Sequence, residues 1–328
     1  MSNKLVRLVL VLLGMILFSN KKEATDTDFS VRILPAAHQL EEYHKYFNLL
    51  LAPGETDALP IAISNESQQA KVFTITICDA STNSHGIVDY SKDIPTFYDD
   101  KRVKVTDLFD KTKMQVTVPA WSEHQLEIPI KMVSQNFDGV ILGGVTISEK
   151  KESEEMVANL YAYTFAIQIR QNSHEVIPKI HYQKIEVERF GSDYAIAMTL
   201  NNPTQTLVAH LKGEFKLSDI QSKKVIYKET RDNLSIAPNN RFKLPIYLDE
   251  NLKKGHYRYE IILKNTEDEW RFVDDILITS KEENQLHELE ERKKINDKLV
   301  FYILLTVVFI LFLIIMKELR GRSKMKNN

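Results

Sequence analysis

Nine histidines and one cysteine are the side chains best suited to metal binding or nucleophilic chemistry, and their spacing supports neither. No two histidines form an HxH pair, and His287-Glu288 lacks the second histidine of an HExxH zinc helix. Cys78 stands alone, so neither an internal disulfide nor a cysteine-based metal cluster can form. Asp26 with Asp28, and Asp99 with Asp100, bunch carboxylates as a calcium site would. Both lack the spaced ligands and glycine of an EF-hand loop and read as solvated charge. GxSxG, Walker A and GxGxxG patterns are absent. A glycosidase carboxylate pair needs only proximity in space, and 45 acidic residues offer no basis for choosing two. No catalytic residue, metal ligand or cofactor is assigned. The chain reads as a binding protein, with a glycan-modifying enzyme as the alternative.

Three segments carry residue types that favour binding. In Ala80–Gly86 followed by Tyr90, Thr82 and Asn83 offer hydrogen bonds, Gly86 a flexible backbone and Tyr90 a ring to stack on a sugar. The same residues would also make an Asx turn closing a hairpin, and composition favours the turn. In Phe137–Val145, Phe137 leads Gly139, Gly143 and Gly144; glycines inside a strand mark a bulge or a close approach, either by a ligand or by packed backbone. Trp270, beside Arg271 and Phe272, is either a buried anchor or an exposed contact, and the anchor is favoured. Asn239 lies in the turn signal Pro238-Asn239-Asn240.

Strands must position these residues. Phe73, Ile75 and Ile77 alternate with polar Thr74 and Thr76. Leu126, Ile128 and Ile130 repeat the pattern around Pro129, which marks an edge strand; Tyr161, Tyr163, Phe165, Ile167 and Ile169 make the longest one-faced run. Many short strands between Gly, Pro and Asn turns predict an all-β chain of two tandem immunoglobulin-like antiparallel β-sandwiches. The expected boundaries are residues 25–171 and 179–280, with a polar linker at 172–178.

Membrane signals frame this body. Residues 1–24, with an 11-residue uncharged run from Leu8 to Phe18 behind Lys4 and Arg7, read as a signal peptide or an uncleaved N-terminal anchor. Residues 281–298 read as a juxtamembrane stalk, and 299–316, 18 residues without a charge, as a single transmembrane helix. The basic tail 317–328 would then face the cytoplasm and the body the outside. The formal charge of −2 divides into +3 over residues 1–24, +4 over 317–328 and −9 between them. An acidic body argues against nucleic acid as a partner.

FSVRILPAAHQ (29–39), YFNL (46–49), Pro53-Gly54, ASTNSHGIVDY (80–90) and FDGVILGGV (137–145) together resemble the first domain of the WxL-interacting proteins. LNNP (200–203), APNNRFKLPI (237–246), LKKGHYRY (252–259) and Trp270-Arg-Phe272 resemble the second. The resemblance implies a Gram-positive surface protein, anchored in the membrane, whose first domain binds peptidoglycan and whose second binds a host protein such as an extracellular-matrix component. It also implies partnership with secreted WxL-domain proteins. This chain has no Trp-x-Leu itself, since Trp121 is followed by Ser-Glu and Trp270 by Arg-Phe. A dedicated host adhesin without wall binding, or a cell-wall glycan-modifying enzyme, is the alternative.

Overall fold

A computed structural model describes residues 28–40, 45–90, 96–150, 161–248 and 252–286, together with Tyr302, Leu305 and Thr306. The chain forms two compact units, one of residues 1–78, 104–136 and 143–172, the other of 79–103, 137–142 and 173–328. Residues 79–103 and 137–142 therefore count with the second unit, although the strand pattern suggested a first sandwich spanning 25–171.

Among the described residues seventeen strands follow in chain order: β1 Phe29–Ile33, β2 Phe47–Leu50, β3 Thr56–Asn65, β4 Lys71–Asp79, β5 Ser81–Thr82, β6 Val88–Asp89, β7 Lys113–Val118, β8 Ser122–Lys131, β9 Ile141–Glu149, β10 Ala162–Arg170, β11 His181–Phe190, β12 Asp193–Asn202, β13 Val208–Asp219, β14 Val225–Ile236, β15 Asn240–Ile246, β16 Gly255–Lys264 and β17 Glu269–Ile278. The first unit has a sheet of order β1-β3-β8 and another of order β2-β10-β9-β4-β7. Alternation does its expected work in β4, where Phe73, Ile75 and Ile77 are all buried. Phe29 of β1 joins the two sheets: its ring lies 5.0 Å from that of Phe73 and 5.5 Å from that of Tyr163. Burying a side chain of this size is worth about 1.5–3 kcal/mol. β8, which carries Pro129, is an edge strand, where a missing N–H costs no ladder bond.

The second unit stacks β11-β12-β15 and β14-β13-β16-β17. Gly191, at φ +61°, turns β11 into β12 through a two-residue loop that pairs Phe190 with Asp193. Between the sheets, the buried Tyr259 of β16 donates its hydroxyl to Leu244 O of β15 at 3.3 Å. Arg231 of β14 stacks 4.3 Å over the Phe215 ring and donates to Pro245 O at 2.8 Å and to Glu229 at 2.6 Å. A part-buried cation is tolerable on these terms because it is both paired and hydrogen-bonded.

Two parts of the expected fold need correction. The sandwiches are not wholly antiparallel: β2 runs parallel to β10, Phe47 opposite Ile167 and Leu50 opposite Arg170. Alternation records which face of a strand is buried and is the same whichever way its neighbour runs, so periodicity could not register this. The expected transmembrane helix is not found either. Among the described residues no helix is long and apolar enough to cross a membrane. The N-terminal segment 1–24, most of the stalk, the tail 317–328 and all of 299–316 but three residues lie outside the described residues.

Candidate functional site

Four buried polar side chains organise one end of the second unit. Asn240, fully buried, accepts Thr82 N–H on Oδ1 and donates Nδ2 to Thr96 O, each at 2.9 Å. The Thr82 hydroxyl in turn accepts Ala237 N–H at 2.9 Å. Asn239, in the left-handed region at φ 48°, accepts Asp99 N–H at 3.0 Å and donates to Asp99 O at 2.9 Å. Asn202 donates to Thr206 O and Ala237 O, at 2.9 and 3.0 Å. Asparagine suits this place because one amide satisfies a backbone donor and a backbone acceptor at once, and it tolerates a positive φ. APNN thus holds segment 79–103 within this unit, and LNNP braces APNN through Ala237 O.

The 80–90 segment is built locally as well. Asn83 Oδ1 accepts His85 N–H at 2.9 Å and Ile87 N–H at 3.2 Å, an Asx-type turn. Gly86 sits buried at φ +74°, where a Cβ would come within 3.0 Å of Leu234 and 3.4 Å of Leu244. Tyr90 is half-buried against the small cluster of Ala80, Leu142 and Ala237. Gly139, at φ +85°, lets backbone meet backbone: a Cβ there would stand 2.0 Å from Gln205 O, and Val140 N–H bonds that oxygen at 2.7 Å. Thr82, Asn83, Gly86, Tyr90, Phe137, Gly139 and Asn239 all lie in the second unit. Trp270 lies there too, on β17, half-buried against the main core. Gly143 and Gly144 belong to the first unit, where a Cβ on Gly143 would stand 2.5 Å from Cys78 O. What remains reachable along 80–90 is the tip, His85 and Ile87, with Asn83 between exposed and buried.

The first unit presents different chemistry. Loops 65–70 and 119–122 meet at one end, where Asn65 donates Nδ2 to Gln69 O, Val118 O and Pro119 O at 2.8, 3.0 and 3.0 Å. Beside them opens a cavity of about 450 Å³ whose walls include Asp28, Ser67, Gln68, Gln69, Lys71 and Glu149. Lys71 is ion-paired with Asp28 and with Glu149, the latter at 3.1 Å. Burial pulls its pKa down and these carboxylates pull it up, with a net rise. At the tip of the 119–122 turn Trp121 is 69% exposed at φ 52°. Sequence reading passed over Trp121 as a residue merely lacking the Trp-x-Leu pattern. Its signal was its place, Pro119-Ala120-Trp121-Ser122 between two alternating runs, which is a turn that carries the chain from β7 in one sheet to β8 in the other.

Among the described residues no group of three or more His, Cys, Asp and Glu side chains is placed to hold a metal. β-sheet units that offer aromatic and amide-bearing loops at their ends are the build of a binding module. Family models match the chain on both sides of residue 150: the WxL Interacting Protein peptidoglycan binding domain over residues 29–149, and the host binding domain of the same family over 152–288. The chain belongs to the WxL interacting protein family and is a cell-surface binding protein. A comparison with curated proteins finds no match.

Solved structures similar to the chain include the class 5 fimbriae chaperone CfaA, at 14% identity, covering 76% of this chain and 99% of that one with a TM-score of 0.29. They also include the CsuC–CsuE chaperone–tip subunit complex of Acinetobacter baumannii Csu pili, at 11% identity, 74% and 97% coverage and a TM-score of 0.34. The E. coli chaperone DraB is similar at 11% identity, 75% and 96% coverage and a TM-score of 0.29. Scores this low carry no argument about this chain.

Proposed function

We propose that the protein is a cell-surface scaffold that holds peptidoglycan through its first unit and engages a WxL-domain surface protein and a host extracellular-matrix protein, with the host contact on the second. The two adjacent family matches, over 29–149 and 152–288, carry this reading. The acidic stretch between the termini suits a neutral glycan better than an anionic wall polymer, which it would repel. The groups that would face a ligand are Asn83 with its neighbours His85 and Ile87 at the tip of the 80–90 segment, inside the peptidoglycan-domain match, and the half-buried ring of Trp270, inside the host-domain match. Thr82, Gly86, Gly139 and Asn239 would act by holding that surface in shape.

The test is co-sedimentation of the full chain with purified peptidoglycan, followed by pull-down of a secreted Trp-x-Leu protein and of matrix proteins at physiological salt. Retention on peptidoglycan together with capture of a Trp-x-Leu protein is the expected result. Release of soluble muropeptides, abolished by one carboxylate substitution, would replace binding by catalysis as the function.

A further inference from the structure

Trp121 is the most exposed aromatic among the described residues, and its backbone is in a region that bulky side chains rarely adopt. Neither fact serves folding. An indole left in water contributes nothing to the core, and glycine or asparagine would fit φ 52° with less strain. Strained backbone persists where its surroundings over-determine it, and such positions cluster at binding sites.

Here the surroundings are explicit. The Asn65 amide bonds the carbonyls of Val118 and Pro119, Ser122 Oγ donates to Pro119 O at 2.8 Å, and Trp121 N–H bonds Ser67 O at 3.3 Å. The turn is therefore held by groups other than the indole, which it presents ready-made. Ser67 also lines the neighbouring cavity, so platform and cavity share one loop. That cavity, about 450 Å³, is within the usual range for small-ligand sites, and its walls carry a hydroxyl, two amides and the charge-neutralised Lys71 with its carboxylates.

A flat aromatic beside hydroxyl and amide groups matches a pyranose, which offers an apolar C–H face to stack and a rim of hydroxyl and acetamido groups to hydrogen-bond. We propose that Trp121 and the 65–71 loop form a subsite for N-acetylated sugars of a glycan strand. This rests on the reading that the first unit binds peptidoglycan, and locates that contact. Preorganisation is what makes the turn useful, because little ordering remains to be done on binding. An aromatic–protein hot spot would need an apolar surround, whereas seven of the nine residues lining this cavity are polar or charged, with only Ala70 and Val72 apolar.

The test uses the full chain as wild type, Trp121→Gly, Trp121→Tyr and Gln68→Ala/Gln69→Ala, titrated against purified peptidoglycan and against a soluble N-acetylglucosamine oligomer. Trp121→Gly relieves the strained φ, so its thermal midpoint should equal or exceed that of wild type while affinity falls at least tenfold. Trp121→Tyr should keep most of the affinity, and the double glutamine variant should lose about threefold or more. Wild-type binding unchanged in Trp121→Gly would overturn the subsite and leave peptidoglycan binding standing. No binding by wild type to either glycan would remove both. Loss of a Trp-x-Leu protein partner, with glycan binding intact, would reassign Trp121 as a protein contact and also overturn the proposal.

Discussion

At Asn240 a single amide answers one backbone donor and one backbone acceptor, from Thr82 and Thr96, with no solvent to replace it. Asn240→Ala leaves both unsatisfied and should cost about 1–3 kcal/mol, read as a lower urea midpoint with an unchanged m-value. His38 is the opposite kind of residue, half-exposed and titratable. Its Nδ1 lies 3.0 Å from Asp57 Oδ2 and its Nε2 2.9 Å from Glu55 Oε1, so both ring nitrogens face carboxylates. The hydrogen bond to Asp57 is the main reason its pKa lies above the ordinary 6.5, burial working the other way and Glu55 adding to the rise. Burial pushes Asp57 up, but the N–H groups of Ala58 and His38 and the His38 ring outweigh it, leaving that carboxyl below its usual range. The His38 contribution is whole below about pH 6.5 and is lost as pH climbs through the raised folded value; that of Asp57 is whole above about pH 4 and lost as pH falls through its lowered one. The latch over residues 34–40 is thus fullest between those limits. Amide exchange in 34–40, corrected for intrinsic rates, should quicken from pH 6 to pH 8, and His38→Gln should remove that dependence. A screened pair of this exposure is worth no more than about 1 kcal/mol, so the global midpoint should move little.

Elements here are set by turns as much as by strands. Gly54 and Gly139 have nearly the same backbone, φ +80° and +85°, yet a Cβ meets nothing within 4 Å at Gly54 and the Gln205 carbonyl at 2.0 Å at Gly139. Gly54→Ala should cost about 1 kcal/mol through conformation alone. Gly139→Ala should cost several times that, because the Val140–Gln205 hydrogen bond must break to make room. Thermal melts of the two variants side by side separate strain from collision; equal losses would mean the backbone approach at Gln205 is not maintained in solution. The pairing of β2 with β10 shows what alternation leaves open. Phe47 and Leu49 are buried, but which strand lies beside them and in which direction it runs is recorded by no local pattern.

At the scale of the whole molecule, each spatial unit gathers segments from far apart in the chain. The second unit includes 79–103 and 137–142, so a fragment of residues 175–298 would lack the partners of Asn239 and Asn240 and uncover Leu234, Leu244 and Ala237. At least three buried hydrogen bonds are lost at about 1 kcal/mol each, so that fragment should melt at least about 10 °C below the full chain or aggregate, and co-expression with residues 25–174 should rescue it. A fragment as stable as the full chain would mean these segments add nothing to the unit. The all-β character, the buried faces of strands such as β4 and the family were all legible in the sequence, because side-chain alternation and short motifs are local properties. Which way β2 runs, which unit owns 79–103, and that Trp121 stands in solvent beside a polar cavity were decided only by the tertiary structure. Each depends on groups far apart in the chain, 158 residues in the case of Thr82 and Asn240, and hydrogen bonds over such separations leave no periodic trace in the sequence.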